Sequence, residues 1–219
     1  MLFYLPIKLL NSDNRLSVSP EKHMQITTLL YPNFETLDVF GPVEIFGKVP
    51  DWNIQFYTQN GGPVSNQDGV CIATESFTAI PANIDTLFIP GGQGARILIQ
   101  HTDFINQLKL LAQKSQYVLT VCTGSALLAK TGLLNGRRAT SNKRAFDWVK
   151  TSSSQTHWVE KARWITDGKY YTSSGISAGM DMALAFVQDR VDKNTAQQIA
   201  TRIEYHWQQD SQQDEFCSK

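Results

Sequence analysis

The sequence predicts one α/β domain built around a mostly parallel β-sheet. Three observations predict this class: short apolar runs typical of buried strands, helical segments between those runs, and abrupt turns containing Pro or Gly where the runs end. Because strands and helices alternate along the chain, successive strands should run parallel through helical crossovers. Functional groups are then expected at the carboxyl ends of the strands.

The first half of the chain combines buried strands with one apolar helix and one amphipathic helical region. Strands are predicted where apolar and β-branched residues cluster, over residues 25–31, 52–58 and 85–89, with a hairpin over 64–77. A helix follows the first strand, and because Gly41-Pro42 interrupts its apolar pattern we expect it to restart at Pro42. Helical spacing returns over residues 95–111, with a break from His101 to Asp103.

The second half repeats the alternation of strands and helices. Further strands are predicted over residues 117–121, 138–140, 158–159 and 164–172, the last folding into a hairpin about Asp167-Gly168. Further helices are predicted over residues 125–130, 143–150, 180–191 and 196–205. Thr131-Gly132 stands where a helix C-cap is expected.

Both ends of the chain fall outside this pattern. Residues 1–23 contain an apolar patch broken by Pro6 and Lys8, without the basic start and cleavage site of a signal peptide. We interpret them as a tail or a misassigned start, since Met24 can serve as an initiator. The domain is expected over residues 24–207, and the polar residues 208–219 are expected to form a loose C-terminal tail.

Composition excludes several classes of protein. The 219 residues include 20 Lys and Arg against 20 Asp and Glu, so no basic field attracts nucleic acid or an anionic membrane. No run approaches the ~18 apolar residues of a membrane span. Three scattered cysteines and four histidines lack the spacing of a disulfide framework or a metal site. We therefore expect a cytoplasmic protein, without a metal, whose partner is a small-molecule substrate.

Cys122 is the candidate nucleophile. It follows the apolar run 117–121 and precedes a helix whose first turn is rich in small residues. A nucleophile at such a turn is lifted out of the sheet on a strained backbone. The following helix would favour the thiolate, and a fall of two units in pKa, about 2.7 kcal/mol, would ionise most of a thiol that is otherwise about 3% ionised at pH 7. The other interpretation is a small buried residue without chemistry.

A glycine-containing turn is the second feature of the site. Gly91-Gly92 ends the strand over residues 85–89, and glycines allow a backbone N–H to approach a reacting atom closely. Together with the amide of Thr123, such an N–H would form an oxyanion hole facing Cys122. The alternative is that these glycines only turn the chain.

Asp38 is the candidate acid. It lies at the edge of the apolar helix that follows the first strand, where desolvation would raise the pKa of its carboxyl group. A protonated acid can donate a hydrogen bond to a thiolate instead of repelling it. The alternative role for Asp38 is a helix N-cap.

The chain resembles the ThiJ/PfpI superfamily in four motifs that occur in the expected order: LDVFGPVEIF, FIPGGQG, VCTGSALLAKTGLLNGRRAT and SSGISAGMDMAL. The resemblance extends from about Met24 to Tyr205. It implies a flavodoxin-like three-layer sandwich, related to class I glutamine amidotransferases, that forms a homodimer and needs no cofactor. The Asp after Leu37 and the Cys-Thr-Gly turn are most similar to the isonitrile hydratase branch, and the same motifs occur in some AraC-type regulators.

The resemblance also implies roles for individual residues. Cys122 corresponds to the nucleophile, and Asp38 corresponds to the acid that contacts it. The hydroxyl of Thr123 would assist substrate or water, and the amides of Gly92 and Thr123 would face the reacting group. Three further residues are candidates for the lining of the pocket: Gly91, Asn142 and Glu44.

Two departures from the family pattern limit the chemistry. Many relatives have a histidine where this chain has Asn142, and the peptidase-like members have a histidine where it has Thr123. Neither position can supply a Cys–His dyad, which argues against proteolysis and weakens the case for glyoxalase or deglycase chemistry. Hydration of an isonitrile is the leading hypothesis. A deglycase-like reaction on aldehydes, or a redox or ligand sensor using Cys122, remain as alternatives.

Overall fold

The computed structural model describes residues 23–217, and the interpretation of residues 1–23 as a tail lies almost wholly outside them. The strands are β1 (Met24–Leu29), β2 (Trp52–Thr58), β3 (Gly62–Ser65), β4 (Cys71–Ser76), β5 (Ile84–Ile89), β6 (Ser115–Val121), β7 (Arg138–Ala139), β8 (His157–Trp158), β9 (Trp164–Asp167) and β10 (Tyr170–Ser173). The helices are α1 (Thr36–Phe46), α2 (Gly94–Leu98), α3 (Thr102–Lys114), α4 (Gly124–Lys130), α5 (Phe146–Lys150), α6 (Ala178–Arg190) and α7 (Lys193–Arg202). Across residues 23–217, every helix is too short or too polar to cross a membrane.

Eight strands form one sheet in the order β3-β4-β2-β1-β5-β6-β10-β9. All neighbouring pairs are parallel except β3–β4 and β9–β10, which form antiparallel hairpins at the two edges. Both hairpins are the ones predicted from their Asp-Gly turns. The prediction of a mostly parallel α/β sheet is confirmed.

Helices cover both faces of the sheet and create two apolar cores. One core packs α1, α6 and α7 against β1, β5 and β6, and the other packs α2 to α5 against the opposite face of the same strands. Strands β1, β5 and β6 are therefore buried along most of their length. Burial on both faces explains why these three strands read as continuous apolar runs in the sequence.

Phe186 is the centre of the first core. Its ring centroid lies 5.1 to 6.2 Å from those of four other aromatic side chains on different elements. Those residues are Phe46, Trp52, Tyr117 and Tyr171. Because several pairs are edge-to-face, as aromatic rings prefer, Phe186 links α6 to α1 and to the sheet.

Helix α1 is continuous through Pro42, so the prediction that it restarts there is wrong. Pro42 has no N–H to donate and would be expected to interrupt the helix. Both Gly41 and Pro42 are buried, and a Cβ atom at Gly41 would lie 2.7 Å from Cγ of Met180 on α6. Close packing against α6 outweighs the missing hydrogen bond, and it keeps Asp38 in the first helical turn.

The C-terminal segment is anchored to the domain, whereas the sequence predicted a loose tail. The carbonyl of Ser211 accepts a hydrogen bond from the Arg163 amide at 2.9 Å. Asp214 is buried and lies 3.5 Å from the side-chain nitrogens of both Arg163 and Lys143. A buried guanidinium requires a compensating charge, which the polar segment supplies.

Candidate active site

A cavity of about 240 Å³ opens at the carboxyl ends of β5 and β6, where the sequence predicted the site. Ten residues line it: Glu35, Gly92, Gln93, Arg96, Cys122, Thr123, Asn142, Arg144, Ala145 and Ile176. Four of the seven candidate residues are among them. Asp38 and Gly91 are buried directly behind the cavity wall.

Cys122 occupies the turn between β6 and α4 in a left-handed conformation. Its φ is 56°, which a residue with a side chain adopts at a cost of about 1–3 kcal/mol. The Cys122 amide is 3.2 Å from the carbonyls of both Ser173 and Ser174, and its own carbonyl accepts a 2.7 Å bond from the hydroxyl of Ser141. These bonds hold the strained turn, as the sequence predicted for a residue lifted out of the sheet.

Asp38 lies beside the sulfur and is fully buried. Its Oδ2 accepts a 2.9 Å hydrogen bond from the Gly91 amide, and the carboxyl group also shares a hydrogen bond with the Cys122 thiol. Among residues 23–217, no hydrogen-bond partner is found for its buried Oδ1. The carboxyl group is therefore positioned by one backbone N–H and directed at the reactive atom. Asp38 is not the N-cap of α1, because Glu35 occupies that position.

The electrostatics of this pair favour retention of a proton. Burial raises the pKa of Asp38 well above its usual value, opposed by the Gly91 amide, as the sequence predicted. Burial, and then the charge of Asp38, also raise the pKa of the Cys122 thiol, although the amide and hydroxyl of Thr123 act to lower it. The prediction of a lowered pKa for the Cys122 thiol is therefore wrong for the free site, because desolvation raises this pKa by more than the helix amides lower it. Both shifts favour the protonated forms of the two groups in the free site.

Thr123 connects the cysteine turn to the glycine turn. Its hydroxyl accepts a 2.9 Å hydrogen bond from the Gly92 amide and lies 3.2 Å from the Gly92 carbonyl. The Thr123 amide faces the sulfur, as predicted. The prediction that the Gly92 amide also faces Cys122 is wrong, because that N–H donates its hydrogen bond to the Thr123 hydroxyl instead.

Two glycines approach the site so closely that a side chain would not fit. A Cβ atom at Gly91 would lie 2.6 Å from the Thr123 amide nitrogen and 2.8 Å from Oδ2 of Asp38. A Cβ atom at Gly175 would lie 2.9 Å from the Cys122 sulfur and 2.5 Å from Nδ2 of Asn142. Gly91 therefore permits the Asp38 contact, and Gly175 closes over the sulfur.

Asn142 is held with its amide nitrogen towards the cysteine. Its Oδ1 accepts a 3.1 Å hydrogen bond from the Ala145 amide and caps the 3₁₀ turn over Lys143–Ala145. This hydrogen bond fixes the orientation of the Asn142 side chain, because Oδ1 must point towards the Ala145 amide. The Nδ2 group is left facing Gly175 and the cavity.

Glu44 does not reach the cavity. It lies on the solvent side of α1, where Oε1 forms a 2.7 Å ion pair with Lys48 one turn later. The prediction that it lines the pocket is wrong, because helical periodicity places it away from Asp38 on α1. Within residues 23–217, no histidine lines the cavity and no group of three or more His, Cys, Asp or Glu residues is arranged to hold a metal ion.

Several site residues were missed in the sequence. Glu35, Arg96 and Arg144 line the cavity although each lies just outside the four motifs that the sequence analysis identified. Tyr31 is buried behind the site and donates a 2.7 Å hydrogen bond to the Pro90 carbonyl. Burial, Asp38 and Cys122 raise the pKa of Tyr31, in that order. Its position after β1 was the one signal that could have identified it.

Comparison with known proteins gives consistent matches to one family. The profile of the DJ-1/PfpI family matches residues 24–189. The isonitrile hydratase of Pseudomonas putida is 33% identical over 183 residues, covering 83% of this chain and 78% of that enzyme. A deglycase of Thermococcus kodakarensis is 23% identical over 154 residues, covering 68% of this chain and 89% of that protein. The crystal structure of a ThiJ/PfpI family protein from Pseudomonas syringae superimposes with a TM-score of 0.75 at 27% identity, covering 91% of this chain and 83% of that one.

Proposed function

Since the chain belongs to the DJ-1/PfpI family, we propose that it is a cysteine-dependent enzyme that hydrates an isonitrile to an N-substituted formamide. The observation that carries the proposal is the buried contact between the Cys122 thiol and the Asp38 carboxyl group, which hold a proton in a site without histidine. An isonitrile needs a nucleophile and a proton at the same carbon atom. This pair supplies both.

The first step is addition of Cys122 to the terminal carbon of the isonitrile. The carbon–sulfur bond forms while Asp38 delivers the proton of the pair to the same carbon, which gives a thioimidate. The isonitrile group itself is neutral and offers no counter-charge to a thiolate, so a thiol that keeps its proton in the resting site is an advantage. The sulfur becomes nucleophilic only as its proton passes to the Asp38 carboxyl group. The raised pKa values of both groups support this order of events.

The second step is hydrolysis of the thioimidate. Water adds to the carbon atom and one of its protons passes to nitrogen. The carbon–sulfur bond then breaks as the remaining hydroxyl proton passes to sulfur, which releases the formamide and restores the thiol. Asp38 can relay the protons of the attacking water to nitrogen and to sulfur, as it relays the thiol proton to carbon in the first step. Thr123 and the Asn142 amide face the volume in which that water would sit.

A deglycase-like reaction on a reactive aldehyde is the alternative, and the T. kodakarensis relative bears that name. The arrangement of the site favours the isonitrile. Proton transfer at the carbon next to an aldehyde calls for a separate base, and Asn142 stands where a histidine would serve. A lactate-formation assay with methylglyoxal distinguishes the two.

Formamide formation from cyclohexyl isocyanide by the purified chain tests the proposal. We expect turnover that Cys122→Ala abolishes and that Cys71→Ala leaves unchanged, since Cys71 is exposed and outside the cavity. Absence of turnover, or undiminished turnover in Cys122→Ala, would refute it.

We further propose that the chain forms a homodimer through the exposed side of α1. Leu37 and Phe40 on that helix are 41% and 40% exposed, and Ile176 at the cavity edge is 37% exposed. Contiguous apolar side chains at the surface commonly mark an interface. Light scattering of the wild type and of Phe40→Glu tests the assembly; a monomeric wild type would contradict it.

A further inference from the structure

Two arginines stand at the mouth of the cavity above Cys122. Arg96 comes from α2, after the glycine turn, and Arg144 comes from the 3₁₀ turn that Asn142 caps. Both side chains are exposed and both line the cavity. The proposed hydration uses neither residue, since its chemistry lies with the buried pair.

Within the described residues 23–217, neither guanidinium forms an ion pair with an acidic side chain. The ion pairs formed by residues 23–217 involve other cations, although acidic residues are as numerous as basic ones in the chain. A guanidinium presents five N–H donors in a planar fork that matches a carboxylate. Two such groups on one cavity, neither of them in an ion pair among residues 23–217, leave their N–H donors available to a ligand.

Arg96 is fixed in position by an aromatic ring. Its guanidinium carbon lies 4.3 Å from the centroid of the Trp148 ring on α5, within the range of a cation–π contact. This contact orients the planar group without using its in-plane N–H donors. Arg96 is therefore arranged as a receptor for a planar anion above the sulfur.

Glu35 lines the same cavity as the two arginines, and its negative charge partly offsets their positive charge. It is half-buried at the start of α1, and burial followed by the charge of Asp68 raises its pKa. Asp38 and Cys122 are behind it, and their raised pKa values favour the protonated form of each. With two arginines against one carboxylate, the mouth of the cavity has an excess of positive charge.

We propose that the substrate carries a carboxylate, bound by Arg96 and Arg144, at the end away from the carbon that Cys122 attacks. The inference rests on the proposed function for the role of Cys122, and it narrows the substrate to small anionic isonitriles. The cavity volume of about 240 Å³ suits a molecule with few atoms beyond the reacting group and the carboxylate.

The first test uses alkylation of Cys122 and does not depend on turnover. Iodoacetate and iodoacetamide differ in charge but react alike: the sulfur forms a bond to carbon and iodide leaves. Mass spectrometry of the Cys122 peptide measures the rate of each reaction. Because both reagents react with the same thiolate, the ratio of the two rates does not depend on the extent of thiol ionisation and reports the charge of the cavity. Mass spectrometry also separates Cys122 from Cys71 and Cys217.

We expect Arg96→Gln and Arg144→Gln each to lower the iodoacetate-to-iodoacetamide ratio by about two- to fivefold, as the loss of one nearby charge predicts. Arg202→Gln is the matched control, because Arg202 is exposed on α7 and does not line the cavity. A ratio that is unchanged in both cavity variants, or that falls equally in Arg202→Gln, would overturn the inference.

The second test compares isocyanoacetate with its neutral methyl ester as substrates. We expect a lower KM for the anion, and a rise in that KM in Arg96→Gln and Arg144→Gln while the KM for the ester stays constant. A lower KM for the ester would refute the proposed binding of a substrate carboxylate but would not affect the proposed hydration of isonitriles. Failure of both substrates would refute the hydration, and the alkylation ratio would still decide whether the cavity selects anions.

Discussion

The Cys122 thiol and the Asp38 carboxyl group form a buried hydrogen-bonded pair, and burial raises the pKa of both groups. The two residues are 84 positions apart and come from different elements, α1 and the β6–α4 turn. The charge of Asp38 raises the pKa of the Cys122 thiol, whereas the hydrogen bond to Cys122 lowers the pKa of Asp38 and only partly offsets the effect of its burial. After burial, Asp38 is therefore the largest influence on the ionisation of the cysteine.

Asp38→Asn should make Cys122 more reactive towards a neutral alkylating agent and less active as a catalyst. The charge of Asp38 is the second cause, after burial, of the raised pKa of the thiol, so its removal lowers that pKa. Alkylation by iodoacetamide at pH 7 should accelerate about tenfold for each unit by which the pKa falls. Isonitrile turnover should fall about 10²-fold or more because the proton donor is lost. Slower alkylation in the variant would contradict the coupling.

Asp38 should make the stability of the protein depend on pH. Its folded-state pKa is raised, so its contribution is fully present below the unfolded pKa of about 4 and is lost as pH rises above it. Asp38→Asn cannot ionise. Its free energy of unfolding should therefore increase relative to wild type by up to about 1.4 kcal/mol per pH unit above pH 4. Urea unfolding from pH 4 to pH 8 measures the difference; a constant difference would disprove the raised pKa.

Thr123→Val should raise the pKa of Cys122 and slow its alkylation at neutral pH. The Thr123 hydroxyl lowers the pKa of the thiol and also accepts the Gly92 amide. The variant leaves that N–H without its partner, at a cost of about 1–3 kcal/mol in stability. Thr123→Ser keeps the hydroxyl and should restore both the pH profile of alkylation and the stability. A serine variant that behaves like the valine variant would show that the methyl group matters instead.

Gly91→Ala should disrupt the site without straining the backbone. The new Cβ atom would lie within 2.8 Å of the Thr123 amide nitrogen, the Thr123 hydroxyl and Oδ2 of Asp38. Relief of these contacts must move the acid or the turn, so we expect a loss of about 1–3 kcal/mol in stability and of most activity. Gly47→Ala is the control, because Gly47 is exposed with an ordinary helical φ of −67°. Equal effects of both substitutions would contradict the steric explanation.

Arg163→Met should destabilise the fold strongly. Its guanidinium forms a 2.6 Å ion pair with Asp181 and lies 3.5 Å from Asp214, and all three residues are buried. Removal of the cation leaves two carboxylates poorly compensated, which costs about 3–5 kcal/mol. Lys48→Met breaks an ion pair at the surface and should cost less than about 1 kcal/mol. Chemical denaturation compares the two, and a similar cost for both would contradict the role of burial.

The sequence by itself determined the α/β class, both edge hairpins and the position of the cysteine turn. These features depend on neighbouring residues: apolar runs form buried strands, Asp-Gly pairs form tight turns, and small residues follow a nucleophile at a strand–helix junction. The local pattern around Cys122 was sufficient to predict its strained backbone. The apolar surroundings of Asp38 were sufficient to predict the raised pKa of its carboxyl group.

Only the tertiary structure decided the path of α1, the anchoring of the C-terminal segment and the electrostatics of the site. Packing of Gly41 against α6 overrides the local effect of Pro42, and Asp214 gains its partners from residues more than fifty positions away. The direction of the Cys122 pKa shift depends on a balance between helix amides and burial. Burial is set by every element that encloses the sulfur, so no local pattern could have determined which effect is larger.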